Sequence, residues 1–224
     1  MCGKYILAQA AKAERAMGIR RGHWEYPLSY RVLPTEQVPV VVAAADGARE
    51  AALMRWGLVP WWTHGVPLKA STINATAERL ERAPSYRDPW RRGQRCLFVM
   101  GGFYEPHLNE DGSRDQFFVH LADRDVFAVA GLWERSRRAD DSWLFSCTLI
   151  TVPANPLLAA VHNAKQRMPA ILAAAEYDSW LRGSAPQAQL LLRPYSAESM
   201  RAWKVSRRVN DPKLANDERL IEPL

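Results

Sequence analysis

Residues 95–121 read RCLFVMGGFYEPHLNEDGSRDQFFVHL, and the parsing of this stretch decides the fold. The run 95–104 is apolar and rich in β-branched and aromatic side chains, which predicts a buried strand. The cluster NEDGSRD from Asn109 carries turn residues, and a second strand pattern follows over 116–121. Two such runs joined by a turn of that composition predict a β-hairpin. The same stretch raises a chemical question. Glu105 falls directly after the apolar run, where a carboxylate is costly to bury unless it is paired or in use.

Working outward, strand patterns recur at 38–44, 51–59, 126–133 and 143–152, and helical patterns at 11–17, 75–82, 173–181 and 196–202. Strands in direct succession, without a helix between each pair, predict a mainly antiparallel α+β protein. Neither a G-x-G-x-x-G nor a Walker loop is present, which disfavours a doubly wound nucleotide fold. With no internal repeat and no Gly/Ser linker, residues 1–224 read as a single domain.

The 224 residues are 48% hydrophobic and 24% charged, the proportions of a globular protein with a real core. The longest apolar run, VPVVVAAA from Val38, is far short of the roughly 20 residues that a bilayer requires. No secretory apolar segment opens the chain, so the expectation is a cytoplasmic protein with no membrane partner. Three widely spaced cysteines fit a reducing compartment, and Cys96 and Cys147 lie inside strand patterns as expected core residues. The net charge of +6 and pI near 9.4 favour an anionic partner. Nine tryptophans add stacking surfaces of the kind that single-stranded nucleic acid uses, although core packing is their commoner role.

The five histidines, His23, His64, His107, His120 and His162, show no ligand spacing with one another or with cysteine, so no metal is expected and no cofactor is implied. There is no G-x-S-x-G elbow. The opening MCGKY is more informative. Removal of Met1 ahead of a small residue would place an α-amine and a thiol together on Cys2. Both can add to one aldehyde carbon and close a five-membered ring, which no internal cysteine can do. Asn74 precedes a helical pattern, where it reads either as an N-cap or as a functional amide. His162 closes a short apolar helical turn before a basic loop, as a structural or a titrating group.

In order along the chain stand MCGKY, YRVLPTEQVPVV from Tyr30, RWGLVPWW from Arg55, INATAE from Ile73, GGFYEP from Gly101, HNAKQRMPAIL from His162 and VSRRVNDPKLANDERLIEP from Val205. This set resembles the SRAP family, the SOS-response-associated peptidase domain that handles abasic sites in single-stranded DNA, over nearly the whole chain. The resemblance implies a barrel-like β core with flanking helices and a catalytic set of Cys2, Asn74, Glu105 and His162. It also implies that the Cys2 amine forms a Schiff base with the ring-opened abasic sugar and that the thiol closes a thiazolidine, with weak lyase activity and self-removal of Met1 as accompaniments. The expected partner is single-stranded DNA carrying an abasic site, bound by a monomer through Lys4, Arg31, Arg79 and Arg167, with Trp61 and Trp62 stacking. Departures from the family pattern fall at Lys4, Arg31, Thr76 and Pro106, where the family usually has Arg, Asn, Arg and Trp. Two rival readings are an N-terminal nucleophile amidohydrolase using Cys2 and a non-catalytic single-strand-binding module.

Overall fold

A computed structural model describes residues 2–224. Its strands form two sheets. The first is built on β3 (Gln37–Ala43), β4 (Arg49–Trp56), β6 (Arg95–Met100), β9 (Phe127–Arg137) and β10 (Trp143–Pro153). Neighbours β4–β3–β6–β9–β10 are antiparallel, and a short parallel pairing of Ser146 and Cys147 with Arg55 and Trp56 closes the ring into a barrel. The closing pairing spans only Ser146 and Cys147, so β10 runs on past β4 with an edge still open to a further strand. Three short strands extend the barrel: β5 (Asn74–Thr76) runs parallel to β10, β11 (Arg167–Pro169) pairs with the end of β10, and β12 (Ile171–Leu172) pairs with β9.

The second sheet is antiparallel, in the order β13 (Met200–Val205), β8 (Arg114–Leu121), β7 (Gly102–Leu108), β1 (Tyr5–Leu7), β2 (Ser29–Val32). One of its faces packs on the barrel, and the other carries Ile6, Tyr104 and Phe118 beneath Val209 and Leu220 of the C-terminal segment. The helices α1 (Ala10–Met17), α2 (Pro84–Arg91), α3 (Pro156–Val161), α4 (Tyr177–Arg182) and α5 (Ala185–Leu191) surround the sheets. No helix among the described residues is long and apolar enough to cross a membrane.

The α+β class, the antiparallel preference and the hairpin at Asn109 agree with the sequence reading. Three expectations are corrected. The strand expected over 95–104 is two strands, one in each sheet, broken at Gly101, with Gly102 opening the second. A Cβ on Gly102 would lie 2.3 Å from the Phe118 ring, so only glycine lets the chain cross between the sheets there. The helix expected over 75–82 is instead β5 followed by a single 3-10 turn, because β10 offers an edge that captures Asn74–Thr76, and the helix proper begins at Pro84. The helix expected over 196–202 is a 3-10 turn leading into β13, where pairing with the open edge of β8 from Met200 to Val205 overrides local helical preference.

Candidate active site

Four distant segments bring the catalytic candidates together. Glu105 sits on β7, where strand alternation places it with Phe103 on the face toward the barrel, and it is fully buried. His162 caps the C-terminus of α3. That helix is started by Asn155, whose side chain accepts from the Leu158 amide at 2.8 Å, and by Pro156 in its first turn. Asn74 comes from β5, and Cys2 leads into β1.

His162 Nδ1 lies 3.5 Å from Glu105 Oε2 and 3.1 Å from the Arg167 carbonyl. A carbonyl can only accept, so the Nδ1–H points to it and the lone pair is left on Nε2. Asn74 Nδ2 donates to the Cys2 carbonyl at 2.8 Å, while its Oδ1 is buried without a hydrogen-bond partner among the described residues. The Cys2 side chain is also fully buried, with Sγ 3.7 Å from the Lys4 carbonyl.

Burial dominates the electrostatics. It pushes the Glu105 carboxyl up to about 7 and lowers the imidazole of His162. It raises the Cys2 thiol, and the nearby Glu105 charge raises it further. The site therefore favours a neutral thiol, a neutral imidazole and a carboxyl that exchanges protons near neutrality. No group of three metal-ligating side chains exists among the described residues.

The remaining sequence candidates are placed differently. Lys4 reaches back to Asn210 Oδ1, and burial lowers its ammonium pKa. Arg31 is 6% exposed and donates to the carbonyls of Asp211, Pro212 and Leu214, so it braces the C-terminal segment. Arg167 binds both carboxylate oxygens of Glu78 and the Thr151 carbonyl. Arg79 is exposed on the turn after β5. Trp61 and Trp62 stand edge-to-face on a 3-10 turn, 5.9 Å between centroids, with Trp61 directed to Asp88 and Arg92. Tryptophan is thus divided: Trp56, Trp90 and Trp180 are core, whereas Trp61 is exposed.

Two residues missed at the sequence level belong here. Lys165, in the basic loop after His162, has its charge close enough to act on both Glu105 and His162. Asn163 clamps the same loop to β7, accepting from the Leu108 amide and donating to its carbonyl, each at 2.9 Å. The basic character of HNAKQR pointed toward the first, but nothing local marked the second.

The fold and site define an α+β protein in which a buried cysteine ahead of β1 lies near a buried carboxyl, an imidazole and an amide. The family description "SOS response associated peptidase (SRAP)" matches residues 1–212, and the chain belongs to this family. It is 35% identical over 201 residues to the abasic site processing protein YoqW of Bacillus subtilis (strain 168), covering 88% of this chain and 87% of that protein. It is 28% identical over 267 residues to the abasic site processing protein HMCES of Gallus gallus, covering 99% and 77%. Among solved structures, a Bordetella bronchiseptica protein superposes with a TM-score of 0.81 at 28% identity, over 92% of this chain and 100% of that one. A Bacteroides thetaiotaomicron protein shares the fold at a TM-score of 0.83 and 23% identity, over 98% and 99%.

Proposed function

We propose that this protein processes abasic sites in single-stranded DNA by forming a covalent thiazolidine crosslink through Cys2. The observation that carries this reading is the convergence of Cys2, Asn74, Glu105 and His162 in one buried site. Relatives named as abasic site processing proteins supply the substrate class.

The chemistry starts with removal of Met1, which lies outside the described residues. An α-amine with a reference pKa of about 7.7–8.0 is partly neutral near pH 7, whereas a lysine near 10.4 is almost wholly protonated. The Cys2 amine attacks the aldehyde carbon of the opened sugar, and loss of water leaves an imine. The thiol then adds to the imine carbon and its proton moves to nitrogen, closing the ring. Because the thiol is held on the same residue, closure has the large effective concentration of an intramolecular step. Glu105, titrating near 7, moves protons for dehydration and closure. His162, with its lone pair on Nε2, assists opening of the sugar hemiacetal or reversal of the crosslink. Asn74 holds the Cys2 backbone and has Oδ1 available for the amine or a sugar hydroxyl. The imine also permits strand cleavage by β-elimination, so slow lyase activity accompanies crosslinking. Arg79 and Lys4 meet phosphates, and Trp61 and Trp62 offer stacking faces.

The deciding experiment separates amine from thiol. Cys2→Ala keeps a small second residue and loses Met1, so borohydride traps it on abasic DNA, yet it gives no heat-stable crosslink without reductant. A retained N-terminal extension, verified by intact mass, abolishes both products. A heat-stable crosslink from either protein would remove Cys2 from the assigned role.

A further inference from the structure

A pocket of about 350 Å³ opens on the face of the second sheet opposite Glu105, with Gly3, Lys4, Pro106, Arg114, Gln116 and Asn210 among its walls. Strand alternation explains this placement. Pro106 pairs with Gln116 and Leu108 with Arg114, while Tyr104 accepts the register of β1 by donating its amide to the Lys4 carbonyl at 3.0 Å. Tyr104 and Pro106 therefore face one way along β7 and Glu105 the other. The pocket begins one residue beyond Cys2 and lies one sheet thickness from the carboxyl.

Its charge is one-sided. Lys4 and Arg114 are cations, and no carboxylate lines the pocket. The acid next to Arg114, Asp115, is engaged by Lys204 at 2.7 Å and Arg207 at 2.9 Å. Arg114 is exposed and makes no ion pair among the described residues. Asn210 accepts from Lys4 through Oδ1, which leaves its Nδ2 hydrogens for another acceptor. A guanidinium fork, an ammonium and an amide donor around a space without acids match the oxygens of a phosphate.

We propose that this pocket seats a backbone phosphate flanking the lesion, held by Arg114, Lys4 and Asn210 as the strand passes over the start of β1 to Cys2. The proposal deepens, and rests on, the reading of Cys2 as the crosslinking residue. It gives Arg114 a binding role that nothing in its local sequence indicates.

The test measures binding of an undamaged single-stranded oligonucleotide across a salt series by fluorescence anisotropy, with Arg114→Gln, Arg114→Lys and, as a control for diffuse charge, Arg20→Gln. Thermal melting first establishes that each variant is folded. Arg114→Gln should lower the slope of log K against log salt by about 0.7, the value for one phosphate contact on a single strand, whereas Arg114→Lys should restore it. With a methylphosphonate replacing the phosphate beside an abasic site, the affinity gap between wild type and Arg114→Gln should close. At saturating abasic DNA, Arg114→Gln should crosslink at the wild-type maximal rate with a raised half-saturating concentration. An unchanged salt slope for Arg114→Gln, or an equal loss for Arg20→Gln, overturns the phosphate seat. If wild type itself fails to crosslink, the Cys2 reading falls while the salt slope still reports on the pocket.

Discussion

Glu105 concentrates the chemistry and the energetics of the site in one side chain. Burial takes its carboxyl from an ordinary value of 4.5 up to about 7, so the folded state holds a proton that the unfolded chain releases. A raised folded pKa stabilises fully below 4.5 and ceases to do so as pH rises through 7, a difference of about 3 kcal/mol for a fully buried group. Glu105→Gln keeps the shape without the titration. Its melting temperature should therefore exceed that of wild type at pH 8 by more than at pH 5, and equal gaps at the two pH values would contradict a buried carboxyl. The same variant should crosslink about 100-fold more slowly, with DNA affinity within about twofold of wild type, since general acid–base catalysis contributes factors of that order. His162 has the opposite sign. Its lowered pKa leaves it neutral at pH 7, and protonation destabilises the fold as pH falls below 6.5. His162→Ala should slow crosslink formation or reversal while leaving the dissociation constant unchanged, measured by single-turnover kinetics beside equilibrium binding.

At the scale of elements, α3 and the loop after it are the devices that hold His162. Asn155 caps the helix and also donates to the Tyr195 carbonyl at 2.7 Å from a nearly buried position. Asn155→Ala removes the cap and leaves that carbonyl without its donor, a loss of about 1–3 kcal/mol. Hydrogen exchange should accelerate through Pro156–Val161, and unchanged protection there would show that the cap is not what starts the helix. The passage between sheets makes a second prediction. Gly102→Ala places a Cβ against the Phe118 ring and the Val119 carbonyl, at 2.3 and 2.9 Å. Overpacking of this kind costs about 1–3 kcal/mol, read as a lower urea midpoint with unchanged slope.

For the molecule as a whole, a net charge of +6 favours an anionic partner, and the number of phosphates neutralised sets the response to salt. Binding to abasic single-stranded DNA should weaken linearly in log salt, by about 0.7 per phosphate neutralised, and duplex DNA should bind less tightly because its bases are not available for stacking. Binding that holds constant between low and physiological ionic strength would exclude phosphate contacts as the main source of affinity. Two of the arginines expected to meet DNA are also tied into the fold. Arg31 and Arg167 have their donors on backbone carbonyls and on Glu78, which ties the C-terminal segment to β2 and the turn after β5 to β11.

The sequence by itself determined what depends on neighbours along the chain. Apolar runs rich in β-branched and aromatic residues marked the main strands, the turn composition at Asn109 marked the hairpin, and the ordered motifs from MCGKY to DERLIEP marked the family. It also singled out Glu105, since a carboxylate ending an apolar strand is an energetic anomaly that local reading can detect. The tertiary structure alone decided what depends on partners far apart in sequence. Asn74 looks like a helix cap until β10 draws it into a strand and its amide meets the Cys2 carbonyl. Arg31 reads in the sequence as a phosphate contact, and only the fold shows that it also donates to three carbonyls from Asp211 to Leu214. His162 comes within 3.5 Å of Glu105 only where α3 packs beside β7, two elements that the Asn163–Leu108 hydrogen bonds also join. Local propensities amount to tenths of a kcal/mol per residue, whereas an open strand edge or a buried unpaired polar group is worth whole kcal/mol, so long-range contacts prevail wherever the two conflict.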